Sequence, residues 1–202
     1  MTKSTTSTPQ SEPLNSEERI AMPEHESLTS EQRSIVESLT NGPRKGVVGP
    51  FIPLMHAPNL LNLMEPLGAE LRFRGRLSQR IRELVICAVA RHTSNQFEWN
   101  VHASLALDAG VLQSTLAALL EGRVSASCPV DERVALEFTQ RLMSTHGVPD
   151  SLFDEIRSFL GEDEIVELCT LVGYFVTVCW IMNVARTSSS EDVDVGVLRR
   201  AN

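Results

Sequence analysis

Along the middle of the chain, apolar residues recur every three or four positions and Gly or Pro falls at the joints, the period of helices. Thr29 or Ser30 is placed to cap a first helix over 28–39, with Glu31 in the turn where a negative charge suits the helix dipole. A loop follows through Gly42, Pro43, Gly49, Pro50 and Pro53. Pro58 marks a second start; Pro66, lacking an N–H, is expected to kink or divide that helix. Ser78 caps a helix over 79–92, and another over 95–109 is closed by Gly110. Shorter helices are expected over 112–120, stopped by Gly122, over 131–145, stopped by Gly147, and over 149–160, before Gly161. A long apolar helix covers 164–185. No alternating run is long enough for a sheet, so the pattern predicts an all-α bundle.

Residues 168–185 of the last helix carry no formal charge, the length at which a membrane span must be considered. Glu167, Thr170, Tyr174, Thr177 and Asn183, however, line up largely as a polar stripe, which lipid would leave unpaired. A helix at a bundle centre or oligomer interface is the expectation, with no membrane partner. The two ends break the pattern. Residues 1–27 are rich in Ser, Thr, Pro and Glu and read as a disordered or loosely draped arm. Residues 28–186 read as a single helical domain and 187–202 as a tail, in which Val193, Val195, Val197 and Leu198 could dock on a neighbour.

Composition narrows the function classes. A chain of 202 residues, 42% hydrophobic and 22% charged, fits one soluble globular domain. The net charge of −8 disfavours nucleic acid. Arg72, Arg74, Arg76, Arg80 and Arg82 form a local basic cluster, but only Phe73 interleaves for stacking, so the cluster reads as an exposed helix face and following loop. Cys87, Cys128, Cys169 and Cys179 show no Cys-x-x-Cys spacing and read as small hydrophobes in a reducing, cytoplasmic compartment. No secretory leader pattern opens the sequence.

Candidate chemistry lies on two adjoining helices. Glu83 sits among Ile81, Leu84, Val85, Ile86, Cys87 and Ala88, where a carboxylate needs a partner or a raised pKa. Arg80 and Arg82 adjoin it in sequence but point elsewhere on a helix. Glu98 and His102 are one turn apart on one face, with Asn95 a turn earlier. An antiparallel hairpin across a turn at 92–94 would bring Glu83 to His102, giving a carboxylate, imidazole, carboxylate cluster suited to proton transfer. On spacing alone the favoured reading is the plainer one, a helix-surface Glu–His pair and a buried Glu that salt-bridges an Arg.

The stretch 77–91, then Asn95 to His102 as Asn-Gln-Phe-Glu-Trp-Asn-Val-His, then Ala106 to Gly110, resembles the carboxymuconolactone decarboxylase and alkylhydroperoxidase D-like family. The likeness extends back to His56-Ala-Pro58 and forward to Glu167 and Tyr174, covering about 45–186. It implies a compact helical bundle of the alkylhydroperoxidase D-like type, assembled as a homo-oligomer, usually a trimer or hexamer. In the family's peroxidatic branch a Glu is followed by Cys-x-x-Cys and a His four residues further on. Here the Glu and His fall on Glu83 and His102, whereas Asn95 and Glu98 stand at the Cys positions. Without that pair the chain is not expected to be a thiol peroxidase, because a thiolate is the nucleophile that reduces a peroxide. It resembles the decarboxylase branch in chemistry, but Trp99 and an added C-terminal half depart from that branch, so carboxymuconolactone need not be the substrate.

The expectation is therefore a carboxy-lyase-like enzyme, needing no cofactor and no metal, that performs acid/base chemistry on a small carboxylated lactone or carbonyl compound. Glu83, Glu98 and His102 are the catalytic candidates; Asn95, Trp99, Phe97 and His92 are candidates for the pocket wall. His56 reads as a loop or capping side chain. Two rivals remain: a non-catalytic helical oligomer binding a hydrophobic small molecule or partner, and a metal-dependent lyase or hydrolase using the same three residues.

Overall fold

The computed structural model describes residues 17–189 together with Gly196 and Leu198. Among them are nine α-helices and no strand: α1 Ser30–Asn41, α2 Phe51–Leu54, α3 Pro58–Ala69, α4 Gln79–His92, α5 Gln96–Asp108, α6 Gln113–Leu120, α7 Val130–Thr145, α8 Asp150–Ile156 and α9 Glu162–Ala185. The all-α expectation holds. Thr29 caps α1 in a reciprocal box with Gln32, each side chain accepting from the other residue's backbone N–H.

Four local details differ from the sequence pattern. The Pro-rich loop after α1 contains the short helix α2, whose Phe51, Pro53 and Leu54 are buried. Pro66 does not divide α3; the helix runs on to Ala69 and passes into a π-helical turn over Glu70–Arg74. α7 stops at His146, in a left-handed conformation, rather than at Gly147. α8 ends at Ile156, and 157–160 close it as turns.

The main core lies between α4, α7 and α9, with Val85, Ile86, Val89, Phe138, Leu168, Leu171, Phe175 and Val178 at its centre. α9 is long and apolar enough by composition to cross a membrane, and in this fold it packs chiefly along α4, with smaller contacts to α2 and α7. Its polar residues explain that placement. The Glu167 carboxylate accepts from the backbone N–H of Arg76 (2.7 Å) and Leu77 (3.3 Å), tying down the loop before α4. Asn183 donates to the Thr93 carbonyl (2.8 Å) and accepts from Asn95 (2.9 Å), clamping the turn after it.

The described part of the N-terminal arm is draped on the domain: the backbone N–H groups of Arg19 and Ile20 reach the Ala185 carbonyl at the end of α9. The exposed His56 ring bonds the Ala21 carbonyl at 2.8 Å, a loop role. In the tail, Leu198 is buried against α5 and α6, its N–H bonded to the Gln96 side chain, so it docks on its own domain. The readings for 1–16 and for Val193, Val195 and Val197 fall outside the described residues.

Candidate active site

The site begins with a tight joint between α4 and α5. Ser94 is left-handed (φ 53°), which lets the Asn95 N–H bond the Ala90 carbonyl and the Ser94 N–H bond the Arg91 carbonyl, a Schellman closure of α4. Asn95 then caps α5, its side-chain oxygen accepting from the Glu98 N–H at 2.9 Å, while its amide donates to Cys179 and Asn183 of α9. One residue thus ends one helix, starts the next and pins both to α9. The resulting hairpin sets α4 against α5 and places Glu98 at the electropositive start of α5.

The predicted cluster is assembled. His102 Nδ1 lies 2.5 Å from Glu83 Oε2, and Nε2 lies 3.0 Å from Glu98 Oε2. All three residues are buried. Phe175 of α9 packs edge-on against the imidazole, ring centroids 5.2 Å apart, fixing its plane. Burial by itself would drive the imidazole toward its neutral form; the bonds to Glu83 and Glu98 outweigh it and hold the pKa above the usual value. Burial likewise works against the Glu83 carboxylate, but His102, Arg72 and Arg82 outweigh it and hold its pKa below the usual range. The charged form of His102 is therefore favoured, and each ring nitrogen has a carboxyl oxygen within hydrogen-bond distance. Among the described residues no group of three or more His, Cys, Asp or Glu side chains is arranged to hold a metal.

Arg82 corrects the expectation that it points elsewhere: its Nε reaches Glu83 Oε1 at 3.4 Å, and its guanidinium also donates to the Leu77 carbonyl. Arg80 does turn away, to Asp131 and the buried Glu132.

Glu98 and His102 open onto a cavity of about 260 Å³. Its other walls are Phe97 and Val101 of α5, Tyr174, Phe175 and Val178 of α9, Arg72 and Phe73 of the π turn, and Arg44 with Phe51 from the segment before α3. A larger hollow of about 470 Å³ on the outer side of α7 is a surface trough whose Arg133 is already paired with Glu137 and Glu155. The smaller cavity is the one that Glu98 and His102 face.

Of the four wall candidates, only Phe97 lines it. Gly49, left-handed at φ 58°, leaves the space that the Phe97 ring fills; a Cβ there would strike the ring. Trp99 is fully buried in the cluster of Leu84, Cys87, Leu116 and Leu136. Asn95 is the helix cap, and His92 is exposed at the end of α4. The residues that sequence reasoning missed are Arg44, Arg72, Phe51 and Phe175. Arg72 belonged to the basic cluster read as exposed, of which Arg74 and Arg76 alone fit, each exposed and paired with Glu70 or Asp163. Burial, and then the nearby Arg44 charge, press the Arg72 guanidinium below its ordinary pKa. Tyr174 had appeared in the polar stripe of α9; burial pushes its phenol up to about 12.

All four cysteines are free thiols. Burial, with the charges of Glu83 and Glu98 behind it, pushes the Cys87 thiol well above its usual pKa, so it is a core side chain rather than a poised nucleophile.

The fold is of the alkylhydroperoxidase D-like type. Residues 58–141, which include Glu83, Glu98 and His102, match the Carboxymuconolactone decarboxylase family. Comparison with curated proteins gave no match. Among solved structures, the chain is similar to a peroxidase-related protein with an alkylhydroperoxidase AhpD core from Ralstonia eutropha JMP134, at 16% identity and TM-score 0.73 over 87% of this chain and 93% of that one. A peroxidase-related protein from Silicibacter sp. TM1040 gives 16% identity and TM-score 0.66 over 95% and 99%. The debrominase Bmp8 gives 12% identity and TM-score 0.64 over 85% and 92%. At these identities the likeness is one of fold.

Proposed function

We propose that the protein is an acid/base enzyme acting on a small carbonyl or carboxylated compound held in the 260 Å³ cavity, with decarboxylation as its reaction. The observation that supports this reading is the position of Glu98: its carboxyl oxygen lies 3.0 Å from the buried His102 imidazole and the side chain also faces the cavity. In the forward reaction the bond between the substrate carboxylate and its α-carbon breaks, carbon dioxide leaves, and the electron pair passes into an enolate. The Glu98–His102 pair then delivers one proton to that carbon, and solvent restores it. Glu83, which does not line the cavity, is a positioning residue that fixes the ring and keeps it charged.

The test is incubation in deuterium oxide with a panel of β-keto acids and carboxylated lactones, reading carbon dioxide release and deuterium at the α-carbon by proton NMR. Both signals are expected with the wild type, and neither with H102N. Wild-type rates in H102N would remove the proposal.

A further inference from the structure

We propose that Arg44 and Arg72 form a carboxylate-binding subsite in the cavity that Glu98 and His102 share, and that its occupant is a small aromatic or otherwise planar, unsaturated carboxylate. The inference deepens the acid/base reading by naming what holds the substrate, and it rests on that reading only for the step that follows binding.

The first observation is unspent hydrogen-bonding capacity. The Arg44 side chain is only 7% exposed, yet among the described residues its sole ion pair is a long one, Nε to Glu65 at 3.4 Å, and its buried Nη2 has no partner there. Arg72 makes no ion pair among the described residues, and its buried Nε is also unpartnered. Native folds leave few buried donors unpaired, and a charged one is costly to leave so. Two in one cavity, on like-charged groups, are what an absent anion would account for. A guanidinium edge matches a planar carboxylate bidentately.

The second observation is that both cations are held in place. The Phe73 ring lies 5.2 Å from the Arg44 guanidinium carbon and 5.2 Å from that of Arg72, and Phe51 lies 5.1 Å from Arg44. Gly68 adds to this. It sits inside α3, where Gly is unfavourable, and a Cβ there would collide with the Tyr174 hydroxyl and press on Arg44 Nη2. The helix leaves that space open for the two side chains. The third observation is shape: with Phe73, Phe97 and Phe175 also on the walls, the space beside the arginines suits a flat apolar body.

Calorimetric titration of the full chain with benzoate, its neutral counterpart benzamide and inorganic phosphate tests the subsite without turnover. Benzoate is expected to bind, with benzamide and phosphate each at least about tenfold weaker; R44M and R72M should each lose at least about tenfold in benzoate affinity while still melting cooperatively. If R44M does not fold, R44K, which keeps the charge without the planar fork, takes its place with a loss in the same direction. No benzoate binding, equal binding of benzamide, or arginine variants that bind like the wild type would each overturn the subsite. Phosphate binding more tightly than benzoate would overturn the carboxylate assignment. Deuterium exchange in the panel above reports the acid/base reading separately: arginine-dependent benzoate binding without exchange would sink that reading and leave the subsite standing.

Discussion

The two sides of the cavity solve the problem of buried charge in opposite ways. On the α4 and α5 side every ionised group is answered: Glu83 by His102 and Arg82, His102 by two carboxylates, Glu98 by the imidazole and the start of its own helix. On the side built from the 43–51 segment and the π turn, Arg44 and Arg72 keep donors with nothing to donate to. A closed charge network stabilises itself; an open one waits for a ligand. Substitutions on the first side should therefore cost stability and chemistry together, and those on the second should cost binding with little loss of stability.

The largest effect is expected for H102A. It strips two buried carboxylates of their shared counter-charge, so the fold should lose about 3–5 kcal/mol, read by urea denaturation, and turnover should fall by about a thousandfold. G68A comes next: overpacking at Tyr174 and Arg44 should cost about 1–3 kcal/mol and weaken benzoate binding. A G68A protein at least as stable as the wild type would deny that the space is reserved.

The pH profile sharpens the contrast. The raised pKa of His102 means that its contribution is complete below the ordinary value of 6.5 and fades as pH rises through the folded-state value. The depressed pKa of Glu83 means that its contribution is complete above 4.5 and fades as pH falls through its folded-state value. Melting temperature should thus benefit most from this network between pH 4.5 and 6.5. The difference between wild type and H102N should shrink on the alkaline side. An alkaline limb that persists unchanged in H102N would assign it to another group.

R72M should change stability by no more than about 1 kcal/mol, because relief of a buried cation with an unpartnered donor offsets the loss of its attraction for Glu83. The smallest effect is expected for R74A, two residues along the same turn: its exposed pair with Glu70 is worth no more than about 0.5 kcal/mol, and benzoate binding should not change.

The same two sides differ in how far they could be read from sequence. Ser78 and Asn95 announce their helices as caps, the Glu98 to His102 spacing fixes a shared face, and an isolated acid among apolar residues marks Glu83. Their assembly needed only a short turn between neighbouring helices. Arg44 stands in a segment with no period, and Arg72 falls in a turn whose residues do not follow the 3.6 repeat, so no face could be assigned to either. Trp99 was misplaced for a related reason: it adjoins Glu98, but the step of about 100° per residue carries its ring from the cavity to the α6 side of the hairpin.

The π turn at Glu70–Arg74 holds one residue more than an α-helical turn of the same span. That surplus residue shifts the remainder of the turn, as far as its end at Gly75, by roughly 100° around the axis. Losing a single residue there would relax the turn to ordinary helix and swing a guanidinium off the cavity while leaving Glu83, Glu98 and His102 in place. What this bundle can hold is therefore adjustable by one codon, independently of the acid/base groups that would act on it.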